Sequence, residues 1–204
     1  MNKMSLSQGR VNQKNKTRTK ILDAAKELMS GSKKLTLEEV AHQARIGRAT
    51  IYRYFPNVEL LITEASLDIH FLSSEELFEK VKHLPIPERI KYIQDYYNEL
   101  AQKHEVIFRR YLSAALLESI ATGNKIRGAR RLETMSLVLS SAKGLVSEKD
   151  LENLKNIGTI LMGIESLIVA KDVCDLTNEQ LNKTLNWAID MILKGMADGG
   201  EDFV

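Results

Sequence analysis

The sequence predicts an all-α protein in which an N-terminal helix-turn-helix domain of three helices precedes a larger helical domain. Apolar residues recur at helical spacing along most of the 204 residues, and no Val/Ile/Thr-rich alternation suggests a strand. Only 3 prolines interrupt the chain. Charge is divided unevenly, because residues 1–55 hold twelve Lys/Arg and four Asp/Glu, whereas residues 56–204 hold seventeen and twenty-three. The basic N-terminal segment favours a polyanionic partner at that end of the chain.

Residues 1–16 are polar and lack periodicity, so they are predicted to form a flexible basic arm. The first helix is predicted to follow over residues 17–30, with Ile21 and Ala25 among the residues that face inward. Three cations near this junction are expected to contact phosphates as the arm approaches a nucleic acid. They are Lys14, Lys16 and Arg18.

Two short helical patterns form a predicted helix-turn-helix motif at about residues 36–55. Thr36 precedes the first pattern and Glu39 stands three residues later, which is the spacing of a capping box. Gly47 suits the turn, because glycine adopts turn and cap conformations at little cost. An apolar stripe at i, i+3, i+4 and i+7 runs along the first of the two helices through Leu37, Val40, Ala41 and Ala44.

The second helix of the motif is expected to present its outer face to DNA. When Ile51 faces inward at about 100° per residue, Ala49 and Arg53 face outward. Arg53 offers the planar donor fork that reads guanine in the major groove, and Ala49 or the methyl group of Thr50 suits a thymine methyl group. The other polar side chains are expected to contact phosphates. The predicted DNA-binding residues are Lys14, Lys16, Arg18, Thr36, Arg45, Arg48, Ala49, Thr50, Tyr52, Arg53 and Tyr54.

Three segments of the chain carry the motifs of a known family. They are I-L-x-A-A-x-x-L at residues 21–28, T-[LV]-x-x-[IV]-A-x-x-A at residues 36–44, and T-[LI]-Y-x-[HY]-F at residues 50–55. On these motifs, residues 15–68 resemble the TetR family of bacterial transcriptional regulators. The resemblance implies double-stranded DNA as a partner and a role in transcription regulation.

The chain departs from the family pattern at two places that concern phosphate contacts. Gly47 stands where the family usually has a serine that caps the recognition helix, and Val58 stands where it commonly has a lysine that meets a phosphate. Arg45 and Arg48 lie nearby, and we expect them to compensate electrostatically.

Helical patterns continue beyond the motif. A fourth helix is predicted from Asn57 to about Val81, and it would link the two domains. Later helices are predicted over residues 87–103, 105–121, 126–144, 148–173 and 178–197. With the resemblance, this pattern implies an arm at 1–16, a helix-turn-helix DNA-binding domain at 17–56, and a helical ligand-binding and dimerisation domain at 57–204.

The resemblance implies a homodimer in which the last two long helices pair with their copies in a second subunit. Such a two-fold protein reads a palindromic operator. Apolar stripes on the last two predicted helices suit this interface, and they suit an intramolecular core as well. The predicted interface residues are Ile157, Ile160, Leu161, Ile164, Ile168, Leu185, Ile189, Ile192 and Met196.

The resemblance also implies a repressor that a small-molecule effector releases from its operator by binding between the C-terminal helices. Aromatic side chains with polar tips suit an apolar pocket, and they suit an ordinary core equally. The candidate pocket residues are Phe71, Tyr96, Tyr97, Phe108, Tyr111 and Glu165. The alternative is a DNA-binding regulator or nucleoid-associated factor that a protein partner controls.

Other functional classes find little support in the residues. The 4 histidines lack metal-ligand spacing and no glycine-rich phosphate loop is present, so neither an enzyme nor a metal or cofactor site is predicted. The single Cys174 cannot form an internal disulfide, and no apolar stretch reaches the roughly 18 residues of a membrane helix. We therefore expect a cytoplasmic protein with no membrane partner.

Overall fold

The computed structural model describes residues 3–29, 35–143 and 146–197, with the side chains of residues 3–12 and 197 outside that description. Within these residues the chain forms eleven α-helices, one 3-10 helix and no strand, so the all-α prediction is confirmed. The helices are α1 (Lys3–Met29), α2 (Leu37–Gln43), α3 (Arg48–Tyr54), α4 (Val58–Asp68), α5 (Ser74–Val81), α6 (Ile86–Lys103), α7 (Glu105–Thr122), α8 (Arg130–Val138), the 3-10 helix (Ser140–Ala142), α9 (Glu148–Ile160), α10 (Ile164–Asp172) and α11 (Asn178–Ala197).

The first helix is longer than the sequence predicts. It begins at Lys3 and not near residue 17, so the predicted arm is helical from Lys3 onward. The segment contains no proline and only Gly9 as a helix breaker, and its Lys, Gln and Arg residues are good helix formers. The predicted end of this helix at Ser30 lies outside the described residues.

The chain divides into two compact units that differ from the predicted domains. One unit holds residues up to Phe71 together with Val106–Ala129, and the other holds Leu72–Glu105 with the residues from Arg130 onward. The first unit extends past residue 56 because Leu60, Leu61 and Ala65 of α4 share its core and are at most 2 % exposed.

The helix-turn-helix forms where the sequence predicts it. Thr36 and Glu39 exchange the two hydrogen bonds of a capping box at the start of α2. After α2, the amide of Arg45 donates to the carbonyl of His42, and that of Ile46 donates to the carbonyl of Ala41. These bonds form a Schellman motif that ends α2 and turns the chain toward α3.

The predicted fourth helix is two helices, α4 and α5. The amides of His70 and Phe71 donate to carbonyls of the last turn of α4, which closes it after Asp68. Ser73 and Glu76 then form a second capping box, which starts α5. The prediction of one helix to Val81 was wrong because it followed the apolar stripe and overlooked Ser73 and Glu76, which have the same capping-box spacing as Thr36 and Glu39.

Two later helices also differ from their predicted bounds. The predicted helix at 148–173 is broken at Gly163, whose φ of 88° lies in the left-handed region that favours glycine. The predicted helix at 126–144 is shortened to α8 and the 3-10 helix that follows it. In the second unit, α6 packs against α8, α10 and α11, and buries Ile90 and Ile93 completely.

Candidate nucleic-acid interface

The recognition helix α3 is anchored on one side and open on the other. Ile51 and Phe55 are 0 % exposed and fix α3 and its C-terminal cap to the core of the first unit. Four side chains on the opposite side are exposed and Thr50 is half-buried. The four are Arg48, Ala49, Tyr52 and Arg53. The outward face predicted for α3 is therefore accessible within the described residues.

One acidic side chain of α2 reaches across to this face. The hydroxyl of Tyr52 donates to Oε1 of Glu38 at 2.8 Å, and Nη2 of Arg48 lies 3.4 Å from the same oxygen. The guanidinium of Arg48 also lies 5.6 Å from the centre of the Tyr52 ring. The hydrogen bond from Tyr52 is the main cause that lowers the pKa of Glu38 below its usual value. Glu38 is therefore an ionised acceptor between two predicted phosphate contacts.

Arg53 and Tyr54 have different surroundings although they are neighbours. Arg53 is exposed, with its guanidinium 5.6 Å from the centre of the Tyr54 ring. Tyr54 is 6 % exposed and belongs to the core, because it follows the inward-facing Ile51 by three residues. The expectation that Tyr54 lies on the DNA-facing surface is corrected, since the helical period places its ring inward.

The remaining predicted phosphate contacts lie around the motif and on α1. Thr36 is exposed, although its hydroxyl is engaged in the capping box. Arg45 is exposed and has a φ of 50°, so its backbone is left-handed in the turn. Lys14 and Lys16 are exposed on α1, where Nζ of Lys14 donates to the carbonyl of Lys125 at 3.4 Å. Arg45, Lys14 and Lys16 are therefore exposed at the predicted contact positions, whereas the hydroxyl of Thr36 already donates to Glu39.

Arg18 does not lie on the surface, and its predicted phosphate contact is corrected. It is 5 % exposed, and its Nε donates to Oε1 of Glu64 at 2.5 Å. Its guanidinium lies 4.6 Å from the centre of the Phe55 ring. The sequence carries a signal for this burial, because Arg18 stands at i−3 and i−4 to Ile21 and Leu22 on the buried stripe of α1.

Tyr111 completes a buried cluster with Arg18 and Glu64. Its hydroxyl donates to Oε2 of Glu64 at 2.6 Å. Burial and then the negative charge of Glu64 raise the pKa of Tyr111. For Arg18, burial lowers the pKa, and the attraction of Glu64 outweighs that effect and raises it overall. The cluster joins α1, α4 and α7 beneath the C-terminal end of the recognition helix.

The predicted pocket residues do not form one group. Phe71, Phe108 and Tyr111 belong to the first unit, where the rings of Phe71 and Phe108 pack edge to face at 5.9 Å. They lie outside the second unit because they pack in or against the core of the first unit, and their role as effector contacts stays a prediction. Tyr96 and Tyr97 lie in the second unit with ring centres 5.2 Å apart.

Glu165 and the two tyrosines of the second unit have polar partners. Glu165 pairs with Nη2 of Arg131 at 2.9 Å. The hydroxyl of Tyr97 shares a hydrogen bond of 2.9 Å with Thr134, and that of Tyr96 accepts from the amide of Leu72 at 2.7 Å. Burial is the main cause that raises the pKa of Tyr97 and of Tyr96. Their role as effector contacts stays a prediction.

Sequence reasoning missed a row of buried amides on α6. Gln94 is 0 % exposed and Asn98 is 2 % exposed, one helical turn apart. Gln94 donates to Asn186 at 3.0 Å, and Asn98 accepts from the amide of Gly163 at 2.8 Å. Oε1 of Gln94 and Nδ2 of Asn98 are buried without a hydrogen-bond partner in the described part of the chain. The apolar pattern could not reveal them, because it considers only the hydrophobic residues of a helix.

The predicted dimer interface is corrected in part. Ile164, Leu185 and Ile189 are at most 7 % exposed within the single chain, because α6 packs against α10 and α11. Five others are half-buried and Ile160 is 63 % exposed; the five are Ile157, Leu161, Ile168, Ile192 and Met196. The prediction missed four apolar side chains that are 40 % exposed or more on α10, its C-terminal cap and α11. They are Val169, Val173, Trp187 and Met191.

Comparison with known proteins agrees with the site's geometry. Residues 21–65 match the family model of bacterial regulatory proteins of the tetR family, which covers the end of α1, all of α2 and α3, and most of α4. A comparison with curated proteins and a comparison with solved structures gave no match. In the described ranges, no helix combines the length and apolar character that crossing a membrane requires. The same ranges hold no group of three or more His, Cys, Asp or Glu side chains suited to a metal ion.

Proposed function

Because this chain belongs to the tetR family of bacterial regulatory proteins through its residues 21–65 and is a DNA-binding transcriptional regulator, we propose that it is a homodimeric repressor. In this proposal a small-molecule effector releases the dimer from a palindromic operator in the cytoplasm. The observation that carries the proposal is the face of α3, where Arg48, Ala49, Tyr52 and Arg53 are exposed above a buried anchor.

The side chains of this face have two proposed roles, reading bases and contacting phosphates. Arg53 reads a guanine edge through its planar donor fork, and Ala49 or Thr50 contacts a thymine methyl group. Arg48 and Tyr52 contact phosphates and fix the register of α3 without reading sequence. Further phosphate contacts come from exposed residues around the motif and along α1, which are Thr36, Arg45, Lys14 and Lys16.

Dimerisation is supported by the exposed apolar side chains of the second unit. Trp187 and Met191 stand one turn apart on α11, and Val169 and Val173 are separated by the same interval on α10 and its cap. Large apolar groups that cluster on a surface commonly mark an interface. A two-fold axis through this face would let each subunit cover the other's exposed residues. This interface replaces the one predicted from Ile164, Leu185 and Ile189.

The effector is proposed to bind in the second unit beside the amide row of α6. The unpaired oxygen of Gln94 and the unpaired amide nitrogen of Asn98 supply one acceptor and one donor at neighbouring turns. Buried groups of this kind normally have partners, so a polar ligand would gain hydrogen bonds there. Tyr96, Tyr97 and Glu165 lie in the same unit and are the proposed aromatic and charged contacts. The effector would release DNA to the extent that it binds the conformation unable to bind DNA more tightly than the conformation that binds DNA.

A protein partner is the second candidate for control, and α7 carries the observation that favours it. Val106, Leu117 and Ile120 are 63 %, 66 % and 80 % exposed. Together with the exposed Arg110 and Ser113, these residues are spaced alternately four and three residues apart. This is the spacing by which one helix contacts another in a coiled coil. An amphipathic helix with acidic side chains would match the apolar residues and the arginine of this face.

Two measurements test the proposed function. Genomic fragments captured by the purified protein identify the operator, and compounds are then screened for release of those fragments. A thermal-shift screen distinguishes the candidates for control, since an effector stabilises the protein in proportion to its occupancy. A compound that both raises the Tm and releases DNA supports effector control. Absence of any sequence-enriched fragment would contradict the proposed function itself.

A further inference from the structure

We infer that Glu38 competes with the DNA phosphate for Tyr52 and Arg48, so that it weakens the binding of every DNA sequence. The inference rests on the proposed function of α3. Its basis is the single carboxylate oxygen that accepts from the hydroxyl of Tyr52 at 2.8 Å and lies 3.4 Å from Nη2 of Arg48. This anionic oxygen offers the hydroxyl and the guanidinium the same kind of acceptor that a phosphate oxygen would offer.

The two acidic residues in the first turn of α2, Glu38 and Glu39, have different partners. The carboxylate of Glu39 accepts from the amide and the hydroxyl of Thr36 at 3.1 and 2.9 Å, which completes the cap of α2. Glu38 has its carboxylate directed toward α3 and is half exposed. Glu38 therefore holds two side chains of the proposed DNA-binding face of α3.

Binding to DNA requires an exchange at this position. Tyr52 and Arg48 must leave Glu38 before they donate to a phosphate, and the freed carboxylate then lies near the polyanion. Both steps oppose binding. Release of Glu38 also leaves a carboxylate that attracts a cation, which offsets part of the counterion release that drives phosphate binding. Because the phosphate backbone is common to all sequences, the effect is equal for all of them, and base preference stays with Arg53.

A structural role for Glu38 makes a different prediction. An acid in the first turn of a helix stabilises that helix through its dipole, so its removal would lower stability and leave DNA affinity unchanged or reduced. Glu38→Gln keeps a side-chain oxygen that accepts from Tyr52 and removes only the charge. The competition predicts tighter binding for this variant, whereas the dipole predicts only a small loss of stability.

The test measures binding of the full chain to a labelled mixed-sequence duplex of about 30 base pairs by fluorescence anisotropy, at about 50 to 200 mM KCl. Glu38→Gln is expected to tighten binding by about threefold or more at the lowest salt and to steepen the log–log salt dependence by up to about 0.9. Glu99→Gln is the matched control, because Glu99 is exposed on α6 in the second unit and its charge change is the same. The control should change affinity by less than about twofold.

Three results would overturn the inference. Unchanged affinity and salt dependence in Glu38→Gln would show that Glu38 does not compete with phosphate. Weaker binding with a new preference at one base pair would mean that Glu38 accepts from a cytosine amino group instead. An equal gain in affinity in Glu99→Gln would show that the loss of any one negative charge explains the tighter binding. Failure of the unmodified protein to bind any duplex would instead contradict the proposed function, so the two failures are distinguishable.

Discussion

The guanidinium of Arg18 and the carboxylate of Glu64 form a two-point ion pair in the core of the first unit, with side chains 6 % and 14 % exposed. The pair joins α1 to α4, and the guanidinium lies against the ring of Phe55 at the end of the recognition helix. The ion pair therefore lies against the residue that caps the C-terminus of α3.

Removal of Arg18 should strongly destabilise the first unit. Arg18→Ala leaves the carboxylate of Glu64 buried without its cation, which typically costs about 3–5 kcal/mol. Urea unfolding followed by circular dichroism measures the loss. The double variant Arg18→Met with Glu64→Leu removes both charges and should recover part of the stability, because it leaves the hydroxyl of Tyr111 without its acceptor. An unfolding midpoint in Arg18→Ala equal to that of the unmodified protein would show that the pair does not stabilise the fold.

Tyr111 makes stability depend on alkaline pH. Its pKa is raised above the ordinary 10.0 in the folded state, by burial first and then by Glu64. Folding therefore favours the protonated phenol, and this contribution is complete below about pH 10 and is lost as pH rises toward the folded pKa. Thermal melts between pH 8 and pH 11 should show a falling Tm.

The variant Tyr111→Phe isolates this contribution. It should be less stable near neutral pH by about 1.5–3 kcal/mol, because it lacks the hydroxyl that donates to Glu64. It should also show a smaller fall in Tm above pH 10, with the buried Tyr97 accounting for part of what remains. Parallel Tm curves for the two proteins would contradict the assignment to Tyr111.

Arg45 carries backbone strain at the turn of the helix-turn-helix. Its φ of 50° is left-handed, a conformation that costs a residue with a side chain roughly 1–2 kcal/mol relative to glycine. Arg45→Gly should therefore be more stable than Arg45→Ala by about 1 kcal/mol in urea unfolding.

The same pair of variants separates strain from DNA contact. Both lack the guanidinium, so both should bind a mixed-sequence duplex more weakly, with a salt slope smaller by about 0.9 if Arg45 contacts one phosphate. Equal stability of the two variants would remove the argument for strain. Unchanged DNA affinity in both would remove the proposed phosphate contact.

The exposed apolar face of α10 and α11 should control the oligomeric state. Trp187→Ser combined with Val173→Ser should raise the dimer dissociation constant by on the order of tenfold or more, since large central side chains dominate interface energies. Sedimentation equilibrium measures the constant. Ile120→Ser on α7 is the control, because Ile120 is 80 % exposed outside the proposed interface. If Ile120→Ser alone dissociated the dimer, the dimer interface would lie on α7 and not on α10 and α11.

Features set by neighbouring residues were predictable from the sequence. The capping box of Thr36 and Glu39 and the outward position of Arg53 follow from residue types at helical spacing, and the structure shows both. Features set by tertiary contacts were not. The burial of Arg18 depends on Glu64, which lies 46 residues away. The buried Gln94 and Asn98 depend on Asn186 of α11 and on Gly163, the N-cap of α10.

The helix break at Gly163 also depends on a tertiary contact that the sequence does not reveal. Nothing in the surrounding apolar run indicates where the helix ends, and a Cβ at position 163 would lie 2.7 Å from Nη1 of Arg131. Arg131 comes from α8, which lies more than twenty residues earlier in the chain. Only the packed structure reveals why glycine is needed there.

The most direct test of α3 as the reader of DNA is selection of bound duplexes from a random pool by the unmodified protein and by Arg53→Ala. The unmodified protein should enrich a palindromic sequence with a guanine in each half-site. Arg53→Ala should lose preference at that base pair alone, with a cost of about 1–3 kcal/mol for the selected site. Tyr52→Phe should bind all sequences more weakly and keep the preference. An identical enriched sequence from Arg53→Ala, or none from the unmodified protein, would contradict the assignment.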